Sequence, residues 1–210
     1  MAEIKASIRH NAAGLTRFSG RDTRAQYWPW AIMLLILDMI AGMIAAGPMI
    51  SHMMARFANI FAAASRGDKL PPEAVDAQFQ GMATTMTADI RTMIFAGIAI
   101  HLVFTLLILA ATVRRLHDRD WSGWWALLPL PFQAAGAAMA PLLLADFRMP
   151  HLSAKGPIMP LPYNSQLMGL NTLNSLAFYG ALGFLVFLLV TEGTRGPNRF
   201  GDDPLARTPA

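Results

Sequence analysis

Arg114-Arg115-Leu116-His117-Asp118-Arg119-Asp120-Trp121-Ser122-Gly123-Trp124-Trp125 is the stretch on which the reading of this chain turns. It joins two long apolar runs, 92–113 and 121–145. Its six ionisable residues between positions 114 and 120 are costly to place in hydrocarbon, so they are expected in a short aqueous loop between two membrane-spanning helices. Two other polar stretches, Phe18-Ser19-Gly20-Arg21-Asp22-Thr23-Arg24 and Gly193-Thr194-Arg195-Gly196-Pro197-Asn198-Arg199-Phe200-Gly201, border further apolar runs. All three are expected on one face of the membrane.

Composition agrees with a bilayer as the solvent. Of 210 residues, 54% are hydrophobic and 14% charged, respectively high and low for a soluble domain. The net charge of +4 and pI near 10 do not read as a nucleic-acid footprint, because the basic residues sit beside apolar runs rather than along one stripe. The absence of cysteine removes disulfides, thiolate metal sites and thiol nucleophiles. The polar first residues and the length of the first apolar run argue against a cleavable signal.

The expected organisation is all-α: a single membrane domain, 1–210, with four transmembrane helices in one bundle and amphipathic helical segments between spans one and two. An arm, 1–26, uses Ile4, Ile8 and Leu15 as the apolar side of an interfacial helix or frays. Ser19 with Asp22 resembles a capping box, and Tyr27, Trp28 and Trp30 read as an interfacial aromatic belt. Span one, 27–47, ends or kinks at Gly47-Pro48. The segment 48–91 reads as a helical hairpin outside the membrane or an extension of the spans, turning at Ser65-Arg66-Gly67-Asp68-Lys69-Leu70-Pro71-Pro72. Its stripes, Met53, Phe57, Ile60 and Phe61 with Val75, Phe79, Met82 and Met86, read as packing rather than a metal site. Span two is 92–113, the loop 114–120, and span three 121–145, bent by Pro129 and Pro131 and closely packed at Gly136. The segment 146–169 is a loop. Span four, 170–190, carries Gly180 and Gly183 as packing notches, and 191–210 is a polar tail.

Four spans put both termini and the central loop on one side. Eleven of the 17 basic residues fall there: Lys5, Arg9, Arg17, Arg21, Arg24, Arg114, Arg115, Arg119, Arg195, Arg199 and Arg207. The positive-inside rule makes that side cytoplasmic.

The three polar stretches together resemble a family of small bacterial inner-membrane proteins catalogued as domain of unknown function 805. Its opening pattern is matched by Phe18, Gly20, Arg21, Arg24, Tyr27 and Trp28. The central Arg-Arg-Leu-His-Asp and Ser-Gly-Trp-Trp are Arg114–Asp118 and Ser122–Trp125, and the ending is Gly193, Gly196, Pro197, Asn198, Arg199, Phe200, Gly201 and Pro204. The resemblance implies an inner-membrane address and a helical architecture, with no activity attached. Where the family has a small turn residue followed by a basic one, this chain has Asp120 and Trp121. The segments 49–91 and 146–169 are longer than the family's connections.

Candidate sites follow from the charges. Arg21, Arg24, Arg114, Arg115, His117, Asp118, Asn198 and Arg199 form an expected cytoplasmic cluster. In it Asp22 and Asp118 pair with Arg21, Arg24 or Arg115 and pin the segments together. Arginines beside a Gly-rich turn can also hold an anion, which makes anionic membrane lipid, a membrane-protein partner or a homo-oligomer the expected partners and nucleic acid not one. Adjacent His117 and Asp118 lack a nucleophile pattern, so no catalytic residue, metal or cofactor is expected, and the chain is not read as an enzyme. Asp38 and His101 are the rival site: each lies about ten residues into its own span and invites a polar clasp between helices. If water reaches the pair, the alternative is a small channel or a proton- or cation-coupled carrier. The other polar neighbours are Gln133, Asn171 and Asn174.

Overall fold

The computed structural model describes residues 1–67, 71–145, 151–153, 156–158 and 164–206. Among the described residues there are five α-helices: α1 Ala2–Ala13, α2 Arg24–Ser65, α3 Pro72–Asp118, α4 Leu130–Ala145 and α5 Ser165–Val190. A short 3-10 helix, Gly123–Leu127, precedes α4, and a pair of three-residue antiparallel strands, β1 His151–Ser153 and β2 Gly156–Ile158, lies between α4 and α5. Among the described residues, four helical segments are long and apolar enough to cross a membrane: Arg24–Ala63, Gln80–Asp118, Gly123–Ala145 and Ser165–Val190. Their large side chains are widely exposed, among them Leu35, Met39, Met43, Ile44, Leu102, Leu106, Leu173 and Leu176. In water such a surface would drive association; in a bilayer it is solvated by lipid tails.

Residues Met1–Ile40, Ile100–Gly136 and Thr172–Ala210 form one compact unit; Ala41–Ala99 and Ala137–Asn171 form a second. The core of the first joins Tyr27, Trp30, Ala31 and Leu34 of α2 to Ala111, Val113 and Leu116 of α3, Ala126, and Leu185, Leu188 and Leu189 of α5. Alanines at 31, 111 and 126 let the helices approach closely.

Several sequence expectations change. Gly47-Pro48 neither ends nor bounds a helix: α2 runs through it for 42 residues, about 63 Å at ~1.5 Å per residue and twice the thickness of a hydrocarbon core. A proline forfeits one backbone hydrogen bond, whereas breaking the helix in an apolar stretch would strand several. The capping box is Thr23 with Gln26, not Ser19 with Asp22: Gln26 N donates to Thr23 Oγ1 at 3.3 Å, and Thr23 N donates to Gln26 Oε1 at 2.8 Å. Tyr27 and Trp30 are core residues rather than a belt, and the Tyr27 hydroxyl meets Thr112 Oγ1 at 3.3 Å. The third span is a 3-10 helix followed by α4, with Pro129 between them and Pro131 in the first turn of α4, where a missing N–H costs little. At Gly136 a Cβ would sit 3.5 Å from Asn174 Nδ2, an ordinary contact, while at Gly180 and Gly183 it would meet nothing within 4 Å among the described residues. Those two glycines take no close helix contact among the described residues.

The turn near residue 67 falls between α2 and α3, with Gly67 at φ 71°; its residues 68–70 and the side chains of Val75 and Phe79 lie outside the described residues. So do 146–150, 154–155 and 159–163.

The largest correction concerns the central stretch. Arg114–Asp118 is not a loop but the last turn of α3, and Arg114, Arg115, Leu116 and Asp118 are all buried. The helix runs five residues past the expected end of span two at 113, and its terminus is capped. Trp121 N donates to Leu116 O and Asp120 N to His117 O, each at 3.0 Å, the paired bonds of a Schellman motif, with Asp120 at φ 59° in the left-handed position. Trp121 packs beside Leu116 against the core. The family's small residue thus belongs at a position where a Cβ is strained, and Asp120→Gly is expected to raise stability by up to about 1 kcal/mol. Its ion pair with Arg199 is exposed and contributes little; thermal unfolding followed by helical circular dichroism checks this.

Candidate functional site

Arg115 in the last turn of α3 and Arg119 just past its end, four residues apart, reach the end of α5. A helix terminus leaves its last carbonyls without donors. Arg115 Nε donates to Leu189 O and Arg119 Nη1 to Leu188 O, each at 3.0 Å, while Arg115 Nη2 also donates to Thr191 O. Cationic donors at this terminus also oppose the partial negative charge of the helix dipole.

Arg114, on the adjoining face, turns toward the arm. Its Nε donates to Asp22 Oδ2 at 2.8 Å, Nη1 to Gly14 O at 2.8 Å and Arg17 O at 2.5 Å, and Nη2 to Asn11 Oδ1 at 2.7 Å. Both charged side chains are 1% exposed. The other Asp22 oxygen lies 2.8 Å from His10 Nε2. Helix α1 therefore docks by its polar face. Ser7 Oγ and Asn11 Nδ2 both donate to Gln26 O, at 2.6 and 2.8 Å, whereas Ile4 is exposed and Ile8 and Leu15 flank the core.

Arg21 ties the arm to the tail. Its Nε donates to Asp118 Oδ1 at 3.2 Å, Nη1 to Gly196 O at 2.8 Å and Nη2 to Thr194 O at 2.6 Å. Asp118 also accepts from Arg115 Nη1, and its backbone carbonyl accepts from Thr194 N at 2.8 Å. The carboxylate is made room for by Gly193, where a Cβ would stand 2.1 Å from Asp118 Oδ2. Three buried guanidiniums thus face two buried carboxylates, and the excess positive charge is distributed over backbone carbonyls. Such an arrangement keeps the charges out of water while giving every guanidinium nitrogen of the three arginines an acceptor.

The outer members of the expected cluster differ. His117 Nδ1 faces Gly20 O at 3.2 Å, and its ring stacks on Phe200 at 3.8 Å. Asn198 Nδ2 donates to His117 O at 2.9 Å. Arg24 pairs with Glu192 at 3.1 Å and Arg199 with Asp120 at 3.1 Å, all four side chains open to solvent. Arg24 therefore joins neither Asp22 nor Asp118. In the tail turn, Asp203 accepts from Leu205 N and Gly196 N, and these amides hold its carboxyl below the usual range. Sequence reasoning missed Ser7, His10, Asn11 and Thr194; the four-residue spacing of Ser7 and Asn11 was the available sign of a polar docking face.

Asp38 and His101 come together as well. His101 Nδ1 lies 3.5 Å from Asp38 Oδ2, and Gln133 Nε2 lies 2.8 Å from His101 Nε2. A cavity of about 270 Å³ is lined by these three residues together with Leu34, Phe104, Ile108, Leu130 and Phe178. Asn174 is not part of this line; its Nδ2 donates to Phe132 O at 3.0 Å.

Membrane-length helices, joined at one end of a unit by buried arginine–carboxylate pairs, define a multi-pass integral membrane protein. The family model for proteins of unknown function (DUF805) matches residues 15–202, so the chain belongs to that family. No curated protein and no solved structure matches it.

Proposed function

We propose that the protein is an interaction module of the bacterial inner membrane, with both termini cytoplasmic, whose exposed arginines bind anionic lipid headgroups. The observation that carries this reading is the division among the arginines. Arg21, Arg114 and Arg115 are spent on internal acceptors and form a fixed base, whereas Arg24, Arg195 and Arg199 are exposed. Arg24 and Arg195 border a hollow of about 100 Å³ with Thr23, Thr194 and Glu192. Each basic residue near an anionic leaflet gains about 1 kcal/mol. The placement of eleven of 17 basic residues supports the cytoplasmic orientation. The role is one of binding rather than catalysis: His117 and Asp118 are turned to different partners, and the Asp118 carboxylate is occupied by two arginines.

Native mass spectrometry of protein extracted from phosphatidylglycerol-containing membranes tests it. Arg24→Ala/Arg199→Ala is expected to retain fewer anionic lipids than wild type at unchanged melting temperature, and equal retention would count against the reading. Loss of a stoichiometric companion protein with lipid unchanged would reassign the surface to a protein partner.

The second reading, a small channel or proton- or cation-coupled carrier, is favoured by the line Gln133–His101–Asp38 along a mainly apolar cavity that Thr105 and Thr112 also line. A carboxylate at membrane depth costs about 2.5 to 3.5 kcal/mol and has functional value if it exchanges protons. Proton flux into proteoliposomes is expected in wild type and lost in Asp38→Asn; no flux under any imposed gradient eliminates this reading.

A further inference from the structure

We propose that the unit containing residues 41–99 holds a binding site for a soft monovalent metal ion, copper(I) or the redox-inert silver(I), formed by the thioethers of Met49, Met53, Met82 and Met86 with the imidazole of His52. All five side chains line one cavity of about 220 Å³. Met49 and Met53 are four residues apart on α2, and Met82 and Met86 are four apart on α3. Each pair therefore lies one above the other on a single helix face, and the two pairs border the same space.

The histidine supplies the second observation. His52 Nδ1 lies 2.9 and 3.1 Å from the two carboxylate oxygens of Asp89. A neutral imidazole that gives its Nδ1–H to a carboxylate presents Nε2 as a lone pair, the orientation found in carboxylate–histidine–metal sites. Packing accounts for a methionine stripe but not for this cavity. Methionine is the side chain best able to fill irregular gaps, yet four of them border open volume with an oriented imidazole on its wall. Thioethers are neutral, polarisable donors that select copper(I) over hard cations. Arg56 shares the wall and donates to Thr85 Oγ1 at 2.6 Å. This site is independent of the arginine cluster.

The test uses the full chain in detergent, with silver(I) retention read by native mass spectrometry and copper(I) affinity by anaerobic competition with bicinchoninate. Wild type is expected to retain one ion. Asp89→Asn is expected to weaken binding about tenfold or more, and Met82→Leu/Met86→Leu, which conserves volume, to weaken it further. Met39→Leu/Met43→Leu, on an exposed part of α2, is expected to leave it unchanged. His52→Gln, at a half-exposed side chain, provides a variant that does not disturb packing. No ion retained by wild type, or affinity in the methionine and histidine variants equal to that of wild type, overturns the proposal. Zinc(II) retained as tightly as silver(I) overturns the thioether assignment.

Discussion

Arg114→Met is expected to destabilise the protein by about 3 to 5 kcal/mol, the range for removing one partner of a buried ion pair. The methionine replaces most of the side-chain volume, so the loss is electrostatic and hydrogen-bonded rather than a cavity effect. Asp22 is left buried with His10 as its remaining side-chain partner, and the carbonyls of Gly14 and Arg17 lose their shared donor. Asp22→Asn removes the carboxylate charge opposite the guanidinium instead, leaving its three other acceptors, and is expected to fall near the lower end of the same range. Because both substitutions remove one interaction, the double variant is expected to cost less than the sum, by at least about 1 kcal/mol. Arg24→Met is the contrasting control: its pair with Glu192 is exposed, and its loss is expected to cost under about 1 kcal/mol. Denaturant unfolding in detergent, followed by helical circular dichroism, gives all four values. Equal small effects for Arg114→Met and Arg24→Met would mean that the buried arginines do not lock this end of the unit. A natural domain has about 5 to 15 kcal/mol in total, so Arg114→Met should also lower the amount of protein that accumulates in the membrane.

The convergence of the three polar stretches was legible because each carries charges that need partners and stands at the end of an apolar run. Burial was not. Reading Arg114–Asp120 as an aqueous loop follows from the cost of a lone charge in hydrocarbon, but the cost changes once a carboxylate and several helix-end carbonyls are supplied by segments about 75 to 100 residues away. Those acceptors are backbone atoms of Gly14, Arg17, Leu188 and Leu189, and no side-chain pattern advertises them. The docking of α1 was only partly legible: its hydrogen bonds to α2 are made by Ser7 and Asn11, whereas of the expected apolar side, Ile4, Ile8 and Leu15, the last two flank the core and Ile4 is exposed. The length of α2 was obscured by Gly47-Pro48, a stop signal in water that loses force where an open backbone has no water to bind. Asp38 and His101 could be matched by depth alone, since two polar residues in apolar helices have few other places to go. Gln133, which completes their line, was visible only as a polar neighbour.

Gly193→Ala provides the second large effect, from a single methyl group. A Cβ at this position would stand 2.1 Å from Asp118 Oδ2 and 2.6 Å from its Cγ, so either the carboxylate or the tail must move. Asp118 is not a flexible surface side chain: it is held by Arg21 and Arg115, and its own carbonyl binds Thr194 next to the new methyl. Overpacking in a well-filled site costs about 1 to 3 kcal/mol, and displacement of a buried carboxylate from two guanidiniums adds to that. We therefore expect a loss of at least about 3 kcal/mol in the same unfolding measurement. Gly183→Ala serves as the internal comparison, because nothing lies within 4 Å of its added Cβ among the described residues and alanine is the better helix former by about 1 kcal/mol. It should be neutral or stabilising. The discriminating experiment is Gly193→Ala combined with Asp118→Ala. If the methyl acts by evicting the carboxylate, the second substitution removes the clash, and Gly193→Ala should cost far less in the Asp118→Ala background than in wild type. If its cost is the same in both backgrounds, the penalty lies in the tail's own backbone, and Asp118 is not the centre around which arm, helix and tail are assembled.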